Sequence, residues 1–163
     1  MSSYHLAQAN ILLPRAALED PEMADFMANL APVNALAEQA PGFVWRLKDD
    51  SEDATSIQAF DDPRILLNLS VWESIEALFH YTYSGGHLEI FRRQAEFRAR
   101  LERPHLALWW VPVGHHPSPQ ETRERLDHLA AHGPTPFAFT FKQRFEAPAL
   151  ESWLAEQTRR PGP

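Results

Sequence analysis

The segment ILLNLSVW, residues 65–72, predicts a strand that is buried on both of its faces. One face carries four aliphatic side chains, at positions 65, 67, 69 and 71, and the other carries Leu66, Asn68, Ser70 and Trp72. An aliphatic face of this size needs cover from another element. Asn68 and Ser70 need hydrogen-bond partners or a ligand, because an unpaired polar group in the interior is costly. The segment therefore predicts both a core and a candidate site.

Strands and helices alternate around this segment. Asp20-Pro21 is typical of a helix start, with an N-cap followed by proline at the first helical position. Further strands are predicted at residues 4–13, 43–47 and 106–113, and helices over about 21–40, 73–83 and 87–103. The order strand, helix, strand, strand, helix, strand predicts a ferredoxin-like α+β fold, an antiparallel sheet with helices on one face.

Residues 114–163 predict a C-terminal extension of the ferredoxin-like core at 4–113, within a single domain of residues 1–163. The capping box Ser118-Pro119-Gln120-Glu121 begins a helix, which Gly133 ends. Alternation of Phe137, Phe139 and Phe141 with polar or small residues then predicts a half-exposed strand that continues to Phe145. The extension is therefore expected to be a helix-strand appendage.

The second face of the predicted sheet leads to an expected homodimer. In the ferredoxin-like arrangement helices cover one sheet face, which leaves the aliphatic side of residues 65–72 and much of the next strand uncovered. We expect a second copy of the chain to cover that face, with two sheets packed face to face in a dimeric α+β barrel.

Composition excludes several classes of protein. The chain has 163 residues, 44% of them hydrophobic, which is enough for one packed domain. Its net charge of −7 argues against a nucleic-acid partner, and its longest apolar run, Leu106 to Val111, is far too short to cross a membrane. Because the chain has no cysteine, and residues 1–15 do not resemble a signal peptide, we expect a cytoplasmic protein.

Several local patterns resemble a known superfamily. These are Pro41-Gly42-Phe43 after the first helix, Asn68 to Ser74 (NLSVWES) at the end of the third strand, and His87 on the following helix. They resemble the core of the dimeric α+β barrel superfamily, which includes antibiotic-biosynthesis monooxygenases and heme-degrading monooxygenases. With LWWVP at 108–112 and GHHP at 114–117, the chain resembles a functionally uncharacterised family within that superfamily.

The resemblance implies roles for four residues. In heme-degrading members it implies a trio whose counterparts here are Asn10, Trp72 and His87. For oxygen chemistry without an organic cofactor it implies His87 as the base, Asn10 and Asn68 as donors to a negative oxygen, and Trp72 as a wall that donates through its indole N–H. In a heme protein His87 would instead be the proximal ligand. The structural alternatives are a capped or half-buried His87, a core Trp72, a loop-binding Asn68 and a bulge or edge Asn10.

A pocket for a flat ligand completes the prediction. Ser70 lies on the same strand face as Asn68 and Trp72, and four aromatic residues are predicted as apolar walls: Tyr81, Tyr83, Trp109 and Trp110. We expect a small-molecule monooxygenase-like enzyme that acts on an aromatic or polyketide-like substrate without an organic cofactor. The alternatives are a heme-binding or heme-degrading enzyme, and a non-oxidative binding protein, lyase or isomerase.

The other histidines predict no metal site. His128 and His132 have the i, i+4 spacing of zinc-binding helices, but the intervening residues lack the glutamate of a metalloprotease and no third ligand is evident. A solvated helix face is the preferred interpretation. His115 lies in a proline-flanked loop, for which a turn or capping role is expected.

Overall fold

The ferredoxin-like fold is confirmed by a single four-stranded antiparallel sheet. The computed structural model describes residues 3–48, 55, 57–84, 86–160 and 162, with the backbone alone at 86 and 87. Its strands are β1 (Tyr4–Leu12), β2 (Phe43–Arg46), β3 (Leu66–Trp72) and β4 (Leu106–Pro112), in the spatial order β2-β3-β1-β4. Its helices are α1 (Ala24–Gln39), α2 (Ile75–Tyr83), α3 (Gly86–Ala95), α4 (Pro119–His132) and α5 (Ala147–Arg159).

Capping and one tight approach fix the helices against the sheet. Ser74 and Ser118 cap α2 and α4 by accepting from the backbone N–H groups of Ala77 at 3.1 Å and Glu121 at 3.0 Å. Gly42, between α1 and β2, has a φ of 85°, and a Cβ there would lie 2.5 Å from the Cβ of Ala77. Only glycine therefore lets α1 turn into β2 beneath α2.

The sheet face away from α1, α2 and α3 is covered by the chain's own C-terminal extension. Leu126 and Leu129 of α4 pack into one buried cluster with Val71 of β3 and Trp109 of β4. Leu126 and Trp109 are both 0% exposed. We call this side of the sheet, with α4 on it, the closed face.

The closed face corrects the reason for expecting a homodimer. The second sheet was inferred from an aliphatic face with nothing over it, but α4 buries that face and partly buried residues of the segment 57–65 add to the cover. Within the described residues this face is buried inside one copy of the chain, so the homodimer stays a prediction without that support.

Two predicted elements are wrong: the strand at 137–145 is absent, and the helix predicted from His87 is too long. Residues 137–145 do not form a strand: Phe139 makes an isolated bridge to Leu108, while Phe137 stacks on Trp153 and Phe141 contacts Phe79. The alternating phenylalanines pack at three separate sites and do not line one face of a pleated strand. The helix predicted to reach Arg103 ends at Ala95, because residues 97–99 pair with the chain that follows β1.

The faces of β2 also differ from the prediction. Phe43 and Trp45 were expected to share a face, but the register shifts between them, so that Phe43 lies opposite Trp72 and Trp45 opposite Val71. The irregularity places them on opposite sides of the sheet, since Trp72 and Val71 are consecutive in β3.

None of the helices in the described part of the chain is long and apolar enough to cross a membrane.

Candidate binding cavity

A cavity of about 260 Å³ lies on the opposite side of the sheet, which we call the open face. Its floor is formed by β1 and β3, and its roof by α1, α2 and α3. Its volume is just below the roughly 300–1,000 Å³ of pockets that hold drug-sized ligands. The ligand that fits is therefore compact. Six of the residues predicted for the site line this one cavity: Asn10, Asn68, Ser70, Trp72, Tyr81 and Tyr83.

Strand register explains why the polar floor is continuous. Gln8 of β1 lies directly opposite Ser70 of β3, and Ser70 is in turn opposite Arg46 of β2. One register step away, Asn10 lies opposite Asn68. Directly opposite residues project to the same face at about 5 Å separation, so these five side chains form one polar surface.

Gln8 joins the polar floor into one hydrogen-bonded group. Its Nε2 donates to Asn68 Oδ1 at 2.7 Å and to Ser70 Oγ at 2.8 Å, and its Oε1 accepts from Asn10 Nδ2 at 3.2 Å. Gln8 is 4% exposed, so its full set of partners is what makes its burial tolerable. It was not predicted as a site residue, although its place on the same strand face as Asn10 was visible in the sequence.

The Ser70 hydroxyl is organised to donate into the cavity. Its oxygen accepts from Gln8 Nε2 at 2.8 Å and from the Trp72 indole N–H at 2.9 Å. Both lone pairs are thereby used, and no acceptor among the described residues takes the hydroxyl proton. The Trp72 indole N–H is therefore engaged by Ser70 instead of being free to donate into the cavity. The two donors polarise the Ser70 hydroxyl toward stronger donation.

Asn10 and Asn68 use their side-chain amides differently in the polar floor. Asn10 Nδ2 donates to Gln8 Oε1 and, at 3.3 Å, to Asn68 Oδ1, so both of its N–H groups are engaged. Asn68 Oδ1 accepts twice, which leaves its own Nδ2 as the donor without a partner in the described part of the chain. Of the two asparagines, Asn68 therefore has the N–H groups that a ligand oxygen could use.

Stacked aromatic rings form the inner wall. Trp72 stacks on Tyr81 at a centroid distance of 5.0 Å, and Phe91 of α3 meets Tyr81 edge to face at 5.5 Å. The Tyr81 hydroxyl donates to the Val33 carbonyl at 3.2 Å. Burial raises the pKa of Tyr81 to about 12, so its phenol is protonated at neutral pH and cannot serve as a base.

An aromatic cluster of Phe79, Tyr83 and Phe141 adjoins the cavity. Tyr83 is 46% exposed and Phe79 is 40% exposed, with their rings 4.7 Å apart. Phe141 of the extension packs edge-on against both, and the Arg144 guanidinium lies 4.9 Å from the centre of the Phe79 ring. Phe141 also lines the cavity, so the extension contributes to the cavity wall as well as to the closed face.

The position of His87 is described only by its backbone, in the first turn of α3; its side chain lies outside the described part of the structure. Phe91 and Gln94 of the same helix line the cavity. Positions 87, 91 and 94 are spaced i, i+4 and i+7, which places them on one face of a helix. This spacing is consistent with a role for His87 at the cavity, and that role stays a prediction.

Trp109 and Trp110 do not line the cavity, which corrects their prediction as walls. Trp109 belongs to the closed face and its indole donates to Glu121 Oε2 at 2.9 Å. Trp110 lies on the other face but beyond the cavity, where its indole donates to the Phe145 carbonyl at 2.7 Å. Adjacent strand residues point to opposite faces, so the two could not have formed one wall.

The other three histidines considered as candidates, His115, His128 and His132, have structural partners. The rings of His128 and His132 lie 4.6 Å apart, and His128 also contacts Thr135 Oγ1 at 2.9 Å and the edge of Trp153. His115 pairs with Glu121 at 2.8 Å beside the start of α4. Within the described residues no group of three or more histidines and carboxylates is placed to hold a metal ion.

Heme does not fit the cavity. A porphyrin is larger than most drug-sized ligands, whereas the space of about 260 Å³ falls below the range for such ligands. The rings of Trp72 and Tyr81 stack on each other at 5.0 Å and leave no slot for a macrocycle between them.

Comparisons with known proteins agree with the resemblance predicted from the sequence. The model of a family described as a domain of unknown function, DUF3291, matches residues 5–155. No curated protein matches the chain.

Similar solved structures match about 70% of the chain. SnoaB, a cofactor-independent oxygenase from Streptomyces nogalater, is 17% identical over 72% of this chain and 100% of its own, with a TM-score of 0.46. Rv0793 from Mycobacterium tuberculosis is 16% identical over 70% and 99%, with a TM-score of 0.47. A Nitrosomonas europaea protein named after the antibiotic biosynthesis monooxygenases is 8% identical over 72% of this chain and 97% of its own, with a TM-score of 0.46. These values are too low to transfer an activity.

Proposed function

Because the chain belongs to DUF3291, a family without an assigned activity, we propose its function from the open face: oxygenation of a compact hydroxylated aromatic substrate without an organic cofactor. The observation that carries the proposal is the buried group of Gln8, Ser70 and Trp72, whose remaining donor faces a cavity with aromatic walls. Such an arrangement binds a flat ring and stabilises negative charge that develops on its oxygen.

The reaction that fits this site converts a phenol to a quinone. His87 takes the phenol proton, and the phenolate transfers one electron to dioxygen. The resulting radicals combine as a C–O bond at the carbon para to the hydroxyl, which gives a peroxide after proton return. The peroxide O–O bond then breaks, with loss of the para hydrogen and release of water. The balance is phenol plus O₂ to quinone plus H₂O, so the electrons come from the substrate alone.

The residues divide the work of this reaction. The Ser70 hydroxyl and Asn68 Nδ2 donate to the peroxide oxygen that forms at the para carbon, and Trp72 and Gln8 hold Ser70 in place. His87 is assigned as the base because the described lining residues include no carboxylate or histidine and Tyr81 has a pKa of about 12. A positioned base contributes about 10²–10⁴-fold.

The test is dioxygen uptake with a panel of mono- and dihydroxynaphthalenes. The wild type should consume one O₂ per quinone formed, and added catalase should return no oxygen, because the reaction releases water and no hydrogen peroxide. His87→Ala should lower the rate by about 10² or more, as expected for loss of a general base. His132→Ala, which removes an exposed imidazole on α4, is the matched control and should retain the wild-type rate.

Two results would overturn the proposal. One is the absence of enzyme-dependent oxygen uptake with every member of the panel. The other is a His87→Ala rate equal to that of His132→Ala, which would remove the assigned base. Hemin titration distinguishes the heme alternative, since a Soret band that shifts in His87→Ala would indicate an iron ligand instead.

A further inference from the structure

Arg46 is the only charged side chain among the described residues that line the cavity. Its side chain is 11% exposed, and its Nε donates to Glu38 Oε1 at 2.6 Å. Within the described residues nothing pairs with its two Nη groups, which are the tips of the fork that binds a carboxylate with two parallel hydrogen bonds. In a chain of net charge −7, this guanidinium makes one end of the cavity suited to an anion.

Gln94 supplies a second polar group that lacks a partner. Its Nε2 donates weakly to the Phe26 carbonyl at 3.4 Å, while its Oε1 is buried and has no hydrogen-bond partner in the described part of the chain. A buried carbonyl oxygen without a donor costs free energy that a ligand hydroxyl would recover. Gln94 lines the cavity, so a ligand there can reach it.

The two groups mark opposite ends of the cavity. Arg46 is held at Glu38, near the end of α1, and Gln94 at Phe26, near its start. Twelve residues separate Glu38 from Phe26, which corresponds to about 18 Å of helix. Both residues line the cavity, so a ligand of two fused rings with polar groups at its two ends can contact both.

We propose that the ligand is a two-ring hydroxyaryl carboxylate, with its carboxylate on the Arg46 guanidinium and its hydroxyl donating to Gln94 Oε1. The inference rests on the open face being the ligand site, and it adds the chemical class of that ligand. It also orients the phenol toward α3, the helix that carries His87.

The test is calorimetric titration of the full chain with three probes: 6-hydroxy-2-naphthoate, its primary amide and 2-naphthoate. The wild type should bind the hydroxy acid about tenfold or more tightly than the amide, because charge-assisted bidentate hydrogen bonds are the strong ones. It should also bind the hydroxy acid several-fold more tightly than 2-naphthoate, which cannot satisfy Gln94.

Matched variants assign each preference to one residue. Arg46→Gln should lose the acid-over-amide preference, and Arg46→Lys should keep part of it. Gln94→Met should lose the hydroxyl preference alone. Arg103→Gln is the control, since Arg103 is also partly buried and bound to a carboxylate, at 2.8 Å from Asp127, but lies away from the cavity. Thermal melting confirms that each variant is folded before titration.

The proposal is overturned if the wild type binds acid and amide equally, if neither probe binds, or if the preference survives in Arg46→Gln. It is also overturned if Arg103→Gln removes the preference as completely as Arg46→Gln does. These outcomes are separate from those for oxygenation: selective binding without oxygen uptake would reject the reaction and keep the ligand class.

Discussion

The two faces of the sheet are built from the same strands but are filled in different ways. On the closed face, aliphatic residues and Trp109 are buried against Leu126 and Leu129 of α4. On the open face, the strands present Gln8 and Ser70 to a cavity of about 260 Å³. Burial without space is typical of a structural core, whereas burial of polar groups beside space is typical of a binding site. The difference supports the open face as the proposed ligand site, whereas the closed face contributes only to stability. A second buried cluster, which includes Leu6, Trp72 and Phe139, also stabilises the open side of the sheet.

Removing a core leucine should give the largest effect. Leu126→Ala on the closed face should lower the free energy of unfolding by about 2–5 kcal/mol, because it leaves a cavity in a fully buried cluster. Leu30→Ala, a half-buried lining residue of the open face, should cost clearly less, since it only enlarges an existing space. Urea denaturation of both variants measures the difference, and equal losses would contradict it.

The same aromatic substitution on each face should separate stability from binding. Trp109→Phe and Trp72→Phe each remove an indole hydrogen bond, to Glu121 and Ser70 respectively, and each should cost about 1–3 kcal/mol. Only Trp72→Phe should also weaken 6-hydroxy-2-naphthoate binding, because it releases the Ser70 hydroxyl. Comparable weakening in Trp109→Phe would mean that the faces are not independent.

Deleting one hydroxyl on each face should have smaller effects than the aromatic substitutions. Ser70→Ala should reduce oxygen uptake about tenfold or more, as expected for loss of a donor to a developing oxyanion. Thr122→Val deletes a buried hydroxyl of α4 that donates to the Ser118 carbonyl at 3.2 Å. That variant should lose about 1 kcal/mol of stability, with an unchanged oxygen-uptake rate. Rates that fall equally in the two variants would contradict the assignment of Ser70.

The smallest effect expected is the part of the pH dependence of stability that arises from His128 in the extension. Burial, His132 and Arg125 lower the pKa of His128 below its ordinary value of 6.5. Between that lowered pKa and 6.5 the unfolded chain binds the proton and the folded chain does not, so stability falls as pH drops through this window. The melting temperature should therefore decrease less between pH 7.5 and 5.5 in His128→Gln than in the wild type. An equal decrease would exclude His128 as the cause.

The fold and half of the site were predictable because strand alternation is a local property. The face shared by Asn68, Ser70 and Trp72 follows directly from residues 65–72, and the structure places all three at one cavity. The errors arose where distant packing decides the outcome. Residues 137–145 alternate like a strand, yet their rings are distributed among α2, α5 and β4.

Arg46 and the position of α4 were missed for different reasons. Arg46 is assigned to the open face by an irregularity in β2, which the sequence does not signal. The partner for the closed face was expected to be a second copy because the sequence does not show where α4 docks. The aliphatic face is covered, as expected, but the cover comes from the same chain.

A crystal structure of the protein soaked with 6-hydroxy-2-naphthoate tests the central claim most directly. We expect electron density for the naphthalene between the polar floor and α1, with the carboxylate at Arg46 and the hydroxyl at Gln94. A cavity filled by the protein's own side chains, or a ligand seen only elsewhere on the surface, would contradict the assignment of the open face as the binding site.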